Sequence, residues 1–373
     1  MSTETRGQSS GRVTFAVIAA AACMSVSGPS AATGISAPRC TLDTPDQCLN
    51  GVSSGVTGGD SLRGFAEQLK PGDRAKERED ARLASAPGRF QLSGRAAGEM
   101  GLSWGVWASG AYTDFDGNPV FGTAITRFDG QLFNGLAGAD VTLADRFVLG
   151  VALGYESSDT DTDFNLGNIT VEGTTVAPYG VVILNDYASI DAAAGYASLD
   201  NDQSRIDPAA SAPGAPVFLS ARFDSRRWFV AANLNLSYPI GDLVVSGQLG
   251  VLKTQEDQDG YTETGGASSR TVRDRRVKLS EGHVSLDAAY SMGAFEPFAR
   301  VSYVTDFSRD DGQNVGGLPG ASVRTQFDDN AWRLAAGVRY YGARFSTSAE
   351  VQTEQGRANF DSTGVRVSVR GDF

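Results

Sequence analysis

The sequence predicts an all-β protein, a 12-stranded antiparallel transmembrane β-barrel with an N-terminal helical linker or plug, and three observations carry that expectation. First, from Ser103 to Phe373 apolar residues recur at every second position, the period of a strand whose side chains point to opposite faces. The chain's end shows it most sharply: Val365, Val367, Val369 and Phe373 share one parity, and Arg366, Ser368, Arg370 and Asp372 the other. A strand with lipid on one side and a wet lumen on the other gains from such a pattern. Second, aromatics mark the ends of the apolar faces. Trp228 and Tyr238 lie ten residues apart on one parity, about 33 Å along a strand and about 25 Å after a tilt near 40°. Third, tight turns at Ala144-Asp145, Asn185-Asp186, 239–241, Met292-Gly293 and Gly342 alternate with long links at 116–129, 159–169, 201–221, 257–273 and 309–327. Short turns at one rim and long loops at the other are the habit of outer-membrane barrels.

Composition narrows the classes further. No run of eighteen apolar residues occurs in the 373, so a membrane can be crossed only by strands. A net charge of -12 argues against nucleic acid as a partner.

The chain opens on an address. Arg6 and Arg12 precede the apolar run Val13–Cys23, and small residues follow through Ala31 and Ala32, the layout of a secretory signal peptide over 1–32. Cys23 suggests lipidation, but Ala20-Ala21-Ala22 before it lacks the larger aliphatic residue that a lipoprotein signal uses. The short segment 33–100 keeps two cysteines, Cys40 and Cys48; export into an oxidising space and close spacing point to a disulfide loop. Asn50–Asp60 reads as linker. Asp60 then caps a short helix with Leu62, Phe65, Ala66 and Leu69 at helical spacing, stopped by Pro71-Gly72. A second helix is expected over 73–85, charged on nearly all sides, which suits solvent or a polar lumen. Gly59-Asp60-Ser61-Leu62 matches the short signature of Ser esterases, yet the sole histidine, His283, falls in a distant strand, so Asp60 and Ser61 are read as a helix start.

The barrel, 101–373, holds strands at 103–115, 130–143, 146–158, 170–184, 187–200, 222–238, 242–256, 274–291, 294–308, 328–341, 343–356 and 361–373. Apolar parities run Phe147, Leu149, Val151, Leu153, Tyr155 in the third and Trp332, Leu334, Ala336, Val338, Tyr340 in the tenth; the opposite parity is small or charged. That second face lines the lumen, where Arg300, Arg333, Arg339, Arg344, Arg366 and Arg370 are expected opposite Glu350 and Glu354. Acidic residues in the long links, among them Asp159, Asp161 and Asp163, raise calcium, but a solvated acidic loop explains them more simply. No cofactor is implied.

The opening Gly101-Leu102-Ser103-Trp104-Gly105-Val106-Trp107, the stretches Phe147–Tyr155 and Tyr187–Tyr196, and the terminal Val369-Arg370-Gly371-Asp372-Phe373 together resemble the translocator domain of a type V secreted autotransporter, over roughly 100–373. The resemblance implies a helix in the lumen, around 73–85, joining an exported N-terminal passenger to the first strand. It also implies that the terminal strand, with Val369 and Phe373, is the signal read by the barrel-assembly machinery. Its setting would be the outer membrane of a Gram-negative bacterium, as a monomeric barrel in lipid, with the N-terminal segment exposed at the surface. This chain departs from the family in having no repeating strand pattern before Ser103 that could build a long β-helical passenger.

The expected function is therefore a non-enzymatic outer-membrane translocator that exports or displays a short N-terminal segment. A porin-like channel or a stand-alone surface adhesin is the alternative. A barrel hydrolase using His283 with Ser280 or Ser285 has little behind it, since strand neighbours point to alternate faces.

Overall fold

The computed structural model describes residues 102–118, 120–121, 124–125, 127–144, 146–163, 165–269, 271–310, 330–342, 344–357 and 360–373. The segment expected to be a signal peptide, the cysteines expected to pair and both expected helices lie outside them. Twelve long strands follow one another: β1 (Leu102–Gly117), β2 (Phe128–Leu143), β3 (Phe147–Thr162), β4 (Gly167–Asn185), β5 (Ala188–Ile206), β6 (Phe218–Ile240), β7 (Leu243–Gln258), β8 (Arg275–Tyr290), β9 (Phe295–Asp310), β10 (Asn330–Tyr341), β11 (Phe345–Arg357) and β12 (Phe360–Asp372). Each pairs antiparallel with its neighbours in sequence, and β12 pairs with β1, so the sheet closes. Closure leaves no edge whose backbone groups would face lipid unpaired.

The expected alternation is what makes this wall. Trp104, Phe147, Leu149, Leu153, Leu249, Val351 and Val367 stand exposed on the outside, while the intervening residues are buried or half-buried. Outer aromatics gather at two levels. Near the tight turns Tyr187 meets Tyr238 with ring centres 5.6 Å apart, and Phe295 meets Tyr340 at 5.1 Å. Toward the other rim Tyr112 is opposite Phe133, Tyr196 is opposite Trp228, and Tyr303 meets Trp332 at 5.1 Å. These are the amphipathic residues that favour the two bilayer interfaces. The tight turns sit where expected; Gly241 and Gly293 take φ of 61° and 67°, the left-handed region that two-residue hairpins need and glycine enters without strain.

Strands overrun their expected ends at the far rim. The link expected at 159–169 is a four-residue turn, because β3 continues to Thr162 and β4 starts at Gly167. Here Ser158, Thr160 and Thr162 are buried within while Asp159 and Asp161 face out. Beyond the bilayer neither face needs to be apolar, so the wall goes on after the hydropathy signal has ended. The link at 201–221 shortens for the same reason, to 207–217, whereas the link at 257–273 keeps nearly its full length, at 259–274.

Candidate functional site: the lumen and its closing seam

The inner wall has two unlike halves. On β1 to β7 an unbroken apolar cluster joins Trp107, Leu136, Ala152, Ala177, Tyr179, Ala193, Phe229, Ala231 and Leu252. Close contact depends on small residues: the Trp107 ring lies over Gly138, where a Cβ would come within 2.6 Å of it.

On β8 to β12 the inner face is charged, and the charges are paired. Arg339 reaches Asp287 at 3.0 Å and Glu296 at 2.9 Å, and stacks over the Phe298 ring at 3.9 Å. Arg300 lies 3.5 Å from Asp287 and 3.8 Å from Glu350, and Glu350 also accepts from Arg366 at 3.0 Å. Arg333 donates to Glu354 at 2.7 Å. Arg357 donates to both oxygens of Asp306 at 2.7 and 3.0 Å, donates to Glu354 at 2.9 Å, and lies 3.7 Å from Glu281. Bidentate, planar donation of this kind suits Arg to carboxylate geometry in a poorly solvated place.

Two further bridges cross the wall. Arg227 on β6 joins Glu256 on β7 at 2.9 Å with Glu156 on β3 at 2.8 Å. At the seam, Arg370 of β12 donates to both Asp140 oxygens at 2.7 Å; Tyr179 donates to Asp140 at 2.7 Å, and Trp107 Nε1 donates to the Tyr179 hydroxyl at 2.6 Å. This chain of bonds ties the last strand to β1, β2 and β4. On the outside of the same seam Phe373 stacks on Trp104 with ring centres 4.4 Å apart, and the two backbones exchange hydrogen bonds at 2.9 and 3.2 Å. Val369 faces outward on the same strand.

Among the charges expected in the lumen, Arg300, Arg333, Arg339, Glu350, Glu354, Arg366 and Arg370 are brought together on the inner wall. Arg344 is not: it stands exposed in the bend before β11, at the tight-turn rim. Sequence reasoning missed Arg357, Arg227, Asp140, Glu156, Asp287 and Glu296. Parity alone would have found most of them, but it puts Arg357 on the wrong face, since Gly356 at φ 93° shifts the register and turns the next residue inward. His283 Nε2 meets Gln248 Oε1 at 3.0 Å and the Ser285 hydroxyl donates to Ser302 at 2.8 Å, wall contacts rather than a nucleophile held by its base.

At the far rim the hairpin 259–274 packs on the top of β6. Tyr261 stacks on Phe223 with ring centres 4.5 Å apart, Glu263 accepts from Arg205 at 2.6 and 2.9 Å, and the Ser268 and Ala209 amides donate to Asp207. The Ser268 backbone donation holds the Asp207 carboxyl below the usual carboxylate range, because a hydrogen bond to the charged form favours that form.

A closed barrel with an apolar belt, two aromatic levels and a charged interior is an outer-membrane barrel. The autotransporter β-domain family model matches residues 106–352, and the chain belongs to that family: it is an outer-membrane translocator barrel. The translocator domain of the autotransporter NalP from Neisseria meningitidis is similar in fold, with a TM-score of 0.60 at 14% identity, over 85% of this chain and 99% of that one. The β-domain of the Bordetella autotransporter BrkA is also similar, at TM-score 0.54 and 14% identity, over 73% and 100%. A comparison with curated proteins finds no match.

Proposed function

We propose that the barrel carries the short segment 33–100 out through its lumen and displays it at the cell surface, without enzymatic chemistry. The observation that supports this most is the position of Leu102. The first strand begins at the tight-turn rim beside Phe373, the rim that faces the periplasm in such barrels, so the chain before it joins the barrel where a segment bound for the lumen must enter. In this reading Arg300, Arg333, Arg339, Glu350, Glu354, Arg366 and Arg370 line the route. Their mutual pairing leaves little free charge to bind a passing segment, which favours sliding over sticking. A protease site inserted in the hairpin 259–274 should be cut on intact cells, and one inserted at Gly241 only after the outer membrane is opened. A tag placed after Ala32 should be reachable from outside. Cutting at both inserted sites on intact cells, or a tag hidden until the membrane is opened, would overturn the reading. A porin-like channel is the second reading, and single-channel conductance separates the two: loss of 33–100 should make a translocator much leakier and leave a porin unchanged.

Within the displayed segment Cys40 and Cys48 form a small disulfide loop, by export and spacing. Thiol labelling of the mature protein without reductant should find neither; labelling of both would disprove it. The terminal strand serves as the assembly signal, through Val369 and Phe373, and the barrel works as a monomer in outer-membrane lipid. The stack of Phe373 on Trp104 adds a reason: it fastens the last residue to the first strand. Removing Phe373 should leave less heat-modifiable barrel in the outer membrane, and an unchanged amount would count against the signal.

A further inference from the structure

Above the outer aromatic level of Tyr196 and Trp228, β4 to β6 continue into water, with β6 starting as far back as Phe218. The outer parity of this crown is polar, with Asn168, Glu172, Asp200, Arg222 and Asp224. Its inner parity carries two apolar clusters, Ile169, Val171, Ala197 and Leu199 in one and Ala221 and Phe223 in another, with the polar Asn201, Gln203 and Ser225 buried between them. Leu199 is 0% exposed and Leu219 1%. Leu199 lies over Gly173 of the wall, but a sheet with water on both sides gains nothing from an apolar cluster at this height, and an apolar partner would cover it. The hairpin supplies one at the β6 end, where Tyr261 and Val272 pack on Ala221 and Phe223.

We propose that the β4–β5 part of this inner face is the docking site of the chain's own segment Asp60–Leu69, which is held in the crown after export. The proposal rests on the display reading above and adds what the displayed segment binds. Apolar complementarity chooses the occupant first. Leu62, Phe65, Ala66 and Leu69 lie at helical spacing, and a single helix that short cannot bury such a face within itself. The following segment, 73–85, offers no comparable face. Charge does not oppose the docking, since Asp60 and Glu67 are balanced by Arg63 and Lys70.

Reach agrees. A helix over 73–85 spans about 20 Å, and residues 86–101 span up to about 53 Å when extended. The path from Leu102 to the crown needs about 25 Å of barrel and about 15–20 Å more above the bilayer. Leu69 can therefore lie beside Leu199, with about 30 Å of chain to spare.

The test replaces Phe65 with the photo-cross-linking analogue p-benzoylphenylalanine in the full chain, assembled in the outer membrane of intact cells. Irradiation should join it to peptides containing Ile169–Val171 or Ala197–Leu199. A companion variant, Phe65→Asp, should raise the rate of surface proteolysis at Arg63 and Lys70 at least tenfold. Cross-links to β8–β12, to lipid or to another protein, or no cross-link within the chain, would overturn the docking. An epitope inserted after Gly51 distinguishes the two ideas. If it is exposed on intact cells and no crown cross-link forms, the docking falls alone; if it is hidden, the display reading falls and takes the docking with it.

Discussion

Val351→Arg should destabilise the assembled barrel by about 2–4 kcal/mol, the cost of a guanidinium at the bilayer midplane, whereas Gln352→Arg should cost far less. Val351 is 54% exposed at the middle of β11, between Ala336 of β10 and Val365 of β12, so its side chain meets only apolar neighbours and lipid. Gln352 is the next residue and points to the other face. There Glu350 and Glu354 flank it on the same parity, bonded to Arg366 and to Arg333 and Arg357, so a new cation joins a polar, charge-rich wall instead of lipid. The denaturant midpoint of the barrel folded into lipid vesicles reads both changes. Equal costs would mean that the strand does not present lipid and lumen by parity. The corresponding pair on β6, Leu234 and Asn235, is less clean, because Asn235 donates to Asp191 at 2.6 Å and accepts from Gln248 at 2.6 Å. A substitution there breaks a network as well as adding a charge.

That contrast shows which part of the molecule the sequence displays. The twelve strands and their outer faces were legible because lipid enforces a strict period of two over the bilayer: Phe147 to Tyr155 leaves no other reading. The strand ends at the far rim were not. Beyond the aromatic level the alternation Asp159, Thr160, Asp161, Thr162 is polar on both faces, and backbone pairing alone carries β3 onward. The charges of the lumen could be assigned to a face, but their partners could not. Asp140 and Arg370 lie 230 residues apart and meet only because β12 closes on β1. Arg227 finds Glu156 across two intervening strands, one of which bears Gly173, where a Cβ would come 3.4 Å from Glu156 Cγ. Such pairings belong to the closed circle, not to any one strand.

Arg357→Met should be the most damaging single change to the inner wall, by about 3–5 kcal/mol, the usual cost of leaving buried charges without their partner. The guanidinium is 4% exposed, and Asp306, Glu354 and Glu281 around it are each 2% exposed. Removing it takes a cation away from three buried carboxylates on β8, β9 and β11, of which Glu354 keeps Arg333. The loss is then one of electrostatics and not of packing, because Met keeps most of the stem's volume. Two companions make that distinction measurable. Asp306→Asn in the Arg357→Met background should restore part of the stability, since it removes the buried charge that had accepted both Arg357 donations. Gly356→Ala should destabilise by a different route: at φ 93° a Cβ is strained, and relief of that strain would swing Arg357 toward the outer face. Midpoints for the four proteins, taken in the same vesicles, decide the matter. Full stability of Arg357→Met, or no recovery on adding Asp306→Asn, would show that the cluster does not hold β8 to β11 together at the outer rim.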